Sequence, residues 1–371
     1  KPVEDLKMVL CHLGSGASVT AIKDGKSFDT SMGFSPVAGI TMSTRSGDVD
    51  PSLLQFIMKK GNITSFNEVI KMLNTKSGLL GLSGISPDMR DIEKAIKNGD
   101  KQAKLTKDIF INRIVRYIGA YMTEMGIEPS QVAFSYKDLT TGKTFAMNDT
   151  QPMTAGSTYK LPLNMLVVDE VAAGKLSMDE RFDITNTNYE YRGEHDNYVG
   201  AFNGAMRISD MQEYSLVYSE NTPAYALAER LGGMEKAYDM FSRYGQSKAD
   251  IKTISRENNK TTTDYYIQVL EYLSKNQEKY KDILYYIGES FPGEYYKRYL
   301  RDITIYQKPG YVREALNVDA LVMEEKPYII ALYTAYLGGS TEASDEISGV
   351  GIEQVGQLAY VINEWHRVNM N

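Results

Sequence analysis

The sequence has 371 residues, more than one ordinary hydrophobic core accommodates, so two or three domains are expected. Hydrophobic residues make up 42% and charged residues 24%, as in globular proteins, and the net charge of −7 is spread without long runs, which argues against nucleic-acid binding. The single cysteine, Cys11, excludes an internal disulfide and a cysteine-rich metal site, and no residue pattern predicts a metal or another cofactor.

Residues 1 to about 106 are rich in glycine and short turns. The stretch KMVLCHLG predicts a strand, and ASVTAIKDGKSFDTS predicts a hairpin around an Asp-Gly turn. Three helices should follow, capped by Asp50, Ser65 and Ser86, with glycine marking their ends. Since so few strands leave one sheet edge and one sheet face without a cover, this segment makes a poor self-contained domain.

The pattern changes from residue 107 onward. KDIFINRIVRYIGAYMTEMG predicts an amphipathic helix, QVAFSYKDLTTGKTFAMN a hairpin, and residues 302–337 three more strands. Residues 157–290 are mostly helical in pattern, and GIEQVGQLAYVINEWHRV predicts a closing helix. We therefore expect an α+β domain in which a five-stranded antiparallel sheet, flanked by terminal helices, carries an inserted all-helical lobe. A cleft between sheet and lobe is the expected site.

Ser157 and Lys160 stand one helical turn apart in TAGSTYKLPLNML, so their side chains can touch. A lysine whose pKa is lowered by burial and by a second cation could accept the hydroxyl proton, and the helix amino terminus supplies N–H groups for a developing oxyanion. The alternative is that Ser157 only caps the helix and Lys160 is solvated.

Two further short motifs follow in the chain. Ser219-x-Asn221 precedes a helical pattern in SENTPAYALAERLGG, and Lys308-x-Gly310 lies in the predicted strand IYQKPGYV. Each is common alone. Together with Ser-x-x-Lys, in this order and in these kinds of element, they form the signature of serine β-lactamases and penicillin-binding proteins.

Residues from about 107 to 371 resemble the class A β-lactamase family. The hairpin and TAGSTYKLPL resemble its first hairpin and nucleophile helix, and NNKTTTDYYIQVL resembles the segment after its omega loop. The resemblance implies that Ser157 is the acylated nucleophile and Lys160 its base. It also implies that Ser219 relays the proton to the leaving nitrogen, and that Lys308 lowers the pKa of Lys160 and attracts the substrate carboxylate.

The resemblance also implies a set of substrate contacts. Asn221 would hold the substrate amide, and Gly310 would lie on the substrate-binding strand. The N–H groups of Ser157 and Tyr311 would form the oxyanion hole, and Tyr198 could be an aromatic residue at the entrance of the cleft. His195, in the polar stretch YRGEHDNYVG, is expected to be a surface loop residue.

Two positions depart from the family pattern. The omega loop is short, GQSKADIKTISRENN, and Glu257 is its candidate deacylation base, without the usual partner asparagine. Pro309 stands where the family has a hydroxyl residue for the substrate carboxylate. The sequence therefore predicts acylation followed by slow deacylation.

Residues from about 1 to 125 resemble acetate kinase, through HLGSGAS, TRSGDVDP and KSGLLGLSGISPDMRDIE. The resemblance implies part of an actin-like α/β phosphotransferase fold. It implies a vestigial nucleotide and phosphate site, with Arg45 stabilising the transferred phosphoryl group and Asp88 and Arg90 near the adenosine. The residues that would line the phosphate path are His12, Gly14, Ser15 and Gly16.

This first segment is expected to be a fragment, because the family's acetate-binding part and glycine-rich nucleotide motif are missing. Phosphoryl transfer needs positioning and charge from all sides, so a partial site should not catalyse it. We predict a truncated acetate kinase-like segment over residues 1–106 and a β-lactamase-like domain over 107–371. The join is expected within or just after the helix at 108–125.

The leading hypothesis is a serine enzyme acylated by β-lactam or peptidoglycan-like substrates. A non-catalytic peptidoglycan- or partner-binding module and a phosphotransferase are the alternatives, the latter only if another chain completes the kinase site in a homo-oligomer. No apolar run reaches the roughly 20 residues of a membrane span. The sequence opens without a signal peptide, which predicts a cytoplasmic protein, whereas the family resemblance predicts an extracytoplasmic one.

Overall fold

The computed structural model of the chain describes residues 7–126, 131–187, 192–336 and 349–370. The chain divides into two compact units, Lys1–Glu128 and Pro129–Asn371. The division at residue 106 stays a prediction, and part of the region where the join is expected, residues 127–130, lies outside the described residues.

The amino-terminal unit combines a small sheet with helices. Its strands form an antiparallel sheet in chain order: β1 (Lys7–Leu13), β2 (Ala17–Lys23) and β3 (Lys26–Thr30). Its helices are α1 (Pro51–Gly61), α2 (Phe66–Thr75), α3 (Gly78–Ser83), α4 (Met89–Lys97) and α5 (Lys101–Glu124). The predicted hairpin is confirmed, and both turn residues between β2 and β3, Asp24 and Gly25, have positive φ.

A small core holds β2 against α5. Alternate residues of β2, Ala17, Val19 and Ala21, are fully buried, as the period of two along a strand requires. They pack in one cluster with Tyr121 and Met125 at the end of α5. β1 and β3 are mostly exposed, and within the described part of the chain neither pairs with a further strand on its outer side, in line with the small number of predicted strands.

Two helix starts differ from the sequence expectation. Asp88 caps α4 by accepting a hydrogen bond from the backbone N–H of Arg90 at 2.9 Å, so the prediction of Ser86 as cap is wrong. α5 begins at Lys101, earlier than predicted, because the carboxylate of Asp100 accepts hydrogen bonds from two N–H groups of the first turn. The first turn of α5 is polar, so apolar periodicity could not identify it.

The carboxy-terminal unit contains the remaining elements. Its strands are β4 (Val132–Asp138), β5 (Thr144–Met147), β6 (Met153–Thr154), β7 (Arg181–Asp183), β8 (Ala205–Arg207), β9 (Ile254–Ser255), β10 (Lys260–Thr261), β11 (Ile305–Val312), β12 (Ala315–Val322) and β13 (Tyr328–Thr334). Its α-helices are α6 (Lys160–Ala172), α7 (Arg192–Ala201), α8 (Ile208–Val217), α9 (Asn221–Arg230), α10 (Met234–Met240), α11 (Thr263–Lys275), α12 (Lys281–Glu289) and α13 (Gly349–Met370). Short 3₁₀ helices span Gly156–Tyr159, Phe241–Arg243 and Tyr295–Lys297.

A five-stranded antiparallel sheet in the order β11-β12-β13-β4-β5 organises this unit, as predicted. Its strands come from both ends of the unit; β12 and β13 are buried on both faces, whereas β5 at one edge is exposed. On β13, Ile329 and Ala331 belong to the core shared with the lobe helices, whereas Ile330 and Leu332 belong to the core that includes Val355 of α13. The sheet therefore separates the lobe from the closing helix.

The predicted helical lobe is confirmed, with an addition. It contains α6 to α12, but also the pair β7-β8 and the small sheet β6-β10-β9, which the helical pattern did not predict. These strands are two or three residues long, too short to leave a pattern of alternating residues. Among the helices that the structure describes, none is long and apolar enough to cross a membrane.

Candidate active site

Ser157 lies on one turn of 3₁₀ helix that continues directly into α6. Strand β11 comes very close to this turn, since a Cβ atom on Gly310 would lie 2.6 Å from the carbonyl oxygen of Ala155, the residue before the turn. A Cβ atom on Gly156, whose φ is 58°, would lie 3.1 Å from the backbone nitrogen of Tyr311. The two glycines thus let the strand bring the N–H group of Tyr311 beside the turn that carries Ser157.

Lys160 is fully buried, and its Nζ has three polar partners. They are Ser157 Oγ at 3.0 Å, the backbone oxygen of Ser219 at 2.5 Å and Asn221 Oδ1 at 2.7 Å. The last two atoms can only accept, whereas a serine hydroxyl can also donate. A neutral amine has two N–H donors, which satisfy the two acceptors, and one lone pair, which is left for the hydroxyl of Ser157. Proton transfer from Ser157 requires this arrangement.

Burial lowers the pKa of Lys160 from 10.5 to about 7, because loss of water disfavours the charged form. The carboxylates of Glu194 and Glu220 act in the opposite direction. About half of the Lys160 side chains are therefore neutral near pH 7, compared with roughly one in 3,000 for an ordinary lysine. The alternative of a solvated Lys160 is wrong, since the side chain has no exposed surface.

Ser219 connects Lys160 with the second lysine. Its φ of 63° is uncommon for a residue other than glycine. In this conformation its backbone oxygen accepts a hydrogen bond from Lys160 Nζ, while its Oγ accepts a hydrogen bond from Lys308 Nζ at 2.9 Å. α9 then begins at Asn221, so the second motif opens a helix, as its pattern predicts. Backbone strain of this kind is typical of functional sites.

Lys308 is also fully buried, and its Nζ donates a second hydrogen bond to the backbone oxygen of Pro309 at 2.8 Å. Burial and the positive charge of Lys160 hold the pKa of Lys308 well below its usual value, and Asp319, its cross-strand neighbour, opposes this shift. From the sequence, burial and the charge of Lys308 were both expected to lower the pKa of Lys160. In the structure burial is the main cause for Lys160, and the charge effect falls on Lys308.

Glu194, on α7, is a site residue that the sequence analysis missed. Its Oε1 accepts hydrogen bonds from the backbone N–H groups of Asn221 at 2.8 Å and Thr222 at 2.7 Å, and its Oε2 accepts from Asn221 Nδ2 at 3.2 Å. The two segments are 27 residues apart in the chain, so no local pattern could have linked them.

Tyr198 lies on the same helix and is half-buried. Its ring stacks on Phe202 at a centroid distance of 6.0 Å and meets Tyr214 edge-on at 5.6 Å, and its role at the cleft entrance stays a prediction. The expectation for His195 is wrong, because it lies on a helix and its Nε2 is 2.9 Å from the backbone oxygen of Ile184.

The two positions that depart from the family pattern differ in their surroundings. Pro309 is buried on β11, whereas Glu257 is exposed on the turn between β9 and β10. Among the described residues Glu257 makes no hydrogen bond or ion pair. Within that same part of the chain, no three His, Cys, Asp or Glu side chains are grouped as metal ligands would be.

The amino-terminal unit brings several of the predicted phosphate-site residues together. A cavity of about 690 Å³ is lined by Gly14, Ser15, Gly16, Arg45 and Asp88, among others. The other two predicted residues have different surroundings. His12 lies against Gly14, and Arg90 pairs with Asp88 at 2.5 Å, where its hydrogen bond lowers the pKa of that carboxyl to about 2.

Comparison with known families matches each unit to a different one. Residues 114–361 match the Beta-lactamase enzyme family, and residues 1–135 match the Acetokinase family. The amino-terminal part is 63% identical over 126 residues to acetate kinase of Fructilactobacillus sanfranciscensis, which covers 34% of this chain and 32% of that protein. Acetate kinase of Limosilactobacillus fermentum is 61% identical over the same length. The chain thus spans about a third of the length of these curated relatives.

Solved structures support the fold of the carboxy-terminal unit. An ancestral class A β-lactamase superposes with a TM-score of 0.54 at 17% identity, covering 66% of this chain and 99% of its own. A β-lactamase of Xanthomonas campestris gives 0.53 at 15% identity, covering 63% and 91%. A PBP-A variant, solved as an acyl-enzyme complex with penicillin-G, gives 0.51 at 17% identity, covering 63% and 90%.

Proposed function

Because the chain belongs to the Beta-lactamase enzyme family, we propose that Ser157 is acylated by β-lactams or by peptides of similar chemistry, and that the acyl group is released slowly. The observation that carries this proposal is the environment of Lys160. A buried amine with a pKa of about 7 lies 3.0 Å from the Ser157 hydroxyl and, when neutral, has a lone pair that can accept the hydroxyl proton. A general base matched to neutral pH and within hydrogen-bond distance satisfies both requirements for activating a serine.

In the acylation step, Lys160 takes the proton of Ser157 while Oγ attacks the carbonyl carbon of the substrate. The new Oγ–C bond forms, the C–N bond breaks, and the leaving nitrogen must receive a proton. Ser219 is suited to deliver it, since its Oγ already accepts from Lys308 and its own hydroxyl hydrogen can point to that nitrogen. The proton that Lys160 took must then replace the one that Ser219 Oγ delivered, so that Lys160 is again neutral and Ser219 again carries its hydroxyl hydrogen.

The developing oxyanion requires two N–H donors close together. Those of Ser157 and Tyr311 are the candidates, because the close approach of β11 to the 3₁₀ turn brings their backbone segments into contact. Asn221 would bind the substrate amide. A substrate carboxylate near Lys308 would favour the charged form of that lysine, but Pro309 offers it no hydroxyl.

Slow release follows from the position of Glu257. Hydrolysis of the acyl-enzyme needs a carboxylate that deprotonates a water, and help of this kind contributes roughly 10²–10⁴-fold in rate. Glu257 is exposed and is held by no other described residue, so nothing orients it for that task. A PBP-A variant, which shares this fold, has been solved as an acyl-enzyme complex with penicillin-G.

A timed labelling experiment tests the proposal. The full chain is mixed with a fluorescent penicillin, excess unlabelled penicillin is added as a chase, and intact mass and peptide mapping follow the adduct. We expect one adduct, heavier by one intact penicillin, on the peptide that contains Ser157, with a lifetime of minutes or longer. Ser157→Ala is the matched control and should remain unlabelled.

Each other outcome has a defined meaning. Loss of the adduct within seconds would make the protein a turnover β-lactamase and contradict slow release. No labelling of the parent chain would leave the fold as a non-catalytic binding module and contradict the proposal.

A further inference from the structure

Glu194 makes a set of contacts that neither motif reading nor family resemblance identifies. One carboxylate oxygen accepts from two backbone N–H groups at the start of α9, and the other accepts from the side-chain nitrogen of Asn221. The opposite end of the same amide, Oδ1, accepts from Lys160. A continuous line of hydrogen bonds therefore runs from α7 through Asn221 to Lys160 and Ser157.

We propose that Glu194 is a positioning residue for acylation: it orients the amide of Asn221 so that Oδ1 faces Lys160 and the lysine lone pair faces Ser157. This inference rests on the proposed acylation of Ser157. Glu194 acts through Asn221 and Lys160, and it has no contact with Ser157 itself among the contacts described.

The two ends of an asparagine amide have nearly the same shape, so packing alone selects its orientation poorly. In the flipped orientation Nδ2 would face the N–H donors of Lys160, and Oδ1 would face the carboxylate of Glu194. Both contacts would be repulsive. The flip would also remove one acceptor of Lys160, which frees an N–H group to turn towards Ser157 and displaces the lone pair that the mechanism needs.

The charge of Glu194 provides a second, independent readout. The charged groups that face Lys160 are Glu194 from α7, Glu220 from the residue before α9, and Lys308 from β11. The two carboxylates stabilise the cation and so raise the pKa of Lys160 against the effect of burial. Removing either charge should lower that pKa. The acid limb of the pH–rate profile, where the acylation rate falls because Lys160 becomes protonated, should then move to lower pH.

Glu220 is a matched control, because it shares the electrostatic effect of Glu194 but makes no side-chain hydrogen bond to Asn221 among those described. Acylation rate constants from pH 5 to 9 are measured for Glu194→Gln and Glu220→Gln, with thermal melting to check folding. We expect both variants to shift the acid limb to lower pH. The plateau rate should fall about tenfold or more in Glu194→Gln and stay within about twofold in Glu220→Gln.

A double-mutant cycle tests whether Glu194 acts through Asn221. The expected plateau of Glu194→Gln combined with Asn221→Ala equals that of Asn221→Ala alone, since the amide to be oriented is gone. If the fold losses in plateau rate of the two single variants multiplied in the double variant, the two residues would act independently, and this would overturn the positioning role. Glu194→Asp, which keeps the charge, should retain the acid limb of the parent with a lowered plateau, and it takes the place of Glu194→Gln if that variant does not fold.

The experiment separates the failure of this inference from the failure of the proposed function. A parent chain that is labelled, with an unchanged plateau in Glu194→Gln, overturns only the positioning role. A parent chain that is not labelled overturns the acylation proposal and the positioning role with it. Titration of the Lys160 side chain by NMR needs no acylation, and an unchanged Lys160 pKa in Glu194→Gln would contradict the electrostatic contact itself.

Discussion

Titration of Lys160 should set the main pH dependence of the acylation rate between pH 5 and 8. A pKa lowered by burial to about 7 means that the base is neutral above pH 7 and protonated below it. The neutral fraction is then about 0.9 at pH 8 and about 0.01 at pH 5, so the rate constant should fall roughly 90-fold between them. An ordinary lysine would instead give a rate that rises about tenfold per pH unit up to pH 10.

The assay is the rate of covalent labelling by a fluorescent penicillin at subsaturating concentration, measured in one mixed buffer at constant ionic strength. Thermal melting at each pH checks that the chain stays folded. A plateau above about pH 8 and a slope of one below about pH 6 are expected. A rate that is constant from pH 5 to 8, or one that still rises tenfold per unit above pH 8, would refute the assignment of Lys160 as a buried neutral base.

Three substitutions and one control variant test other parts of the site. Lys160→Ala should reduce labelling of Ser157 by at least about 10³-fold with folding retained. The control variant Lys297→Ala, which removes another lysine with a lowered pKa, should reduce thermal stability and leave labelling unchanged. Equal labelling in both variants would contradict the mechanism. Glu257→Gln should change the adduct lifetime by less than about twofold in the mass-spectrometric chase, and a rapidly lost parent adduct that persists in this variant would identify Glu257 as the deacylation base. Pro309→Thr should strengthen reversible binding of carboxylate-bearing penicillins by about one to two orders of magnitude, since a hydrogen bond to a charged group contributes about 1.5–3 kcal/mol, and unchanged apparent affinity would place the carboxylate elsewhere.

Several features could be predicted from local sequence patterns. The alternating residues of β13 and the hairpin of β4 and β5 predicted the large sheet, because each strand shows its own period of two. The three short motifs predicted which side chains meet, since the order of motifs along a known architecture specifies their neighbours. Ser157 and Lys160 are in contact for a simpler reason, the pitch of one helical turn.

Other features depend on residues that are far apart in the chain. The low pKa of Lys160 arises from the complete exclusion of water by the packed sheet and lobe, which no window around TAGSTYKLPLNML contains. The helix caps of α4 and α5 and the strands of two or three residues escaped detection, because a single hydrogen bond or a single ladder pair leaves no periodic signal.

Glu194 is the clearest example of a residue whose contacts depend on the tertiary structure and not on a local sequence pattern. Its sequence neighbours gave no reason to single it out, and the residues it binds lie 27 positions away on another helix. The sequence by itself determined the candidate reacting groups, Ser157 and Lys160, because their chemistry and spacing are local. Only the tertiary structure decided which proton the lysine can take. The orientation of its lone pair depends on hydrogen-bond acceptors, on nearby charges and on the exclusion of water, and separate segments of the folded chain supply these.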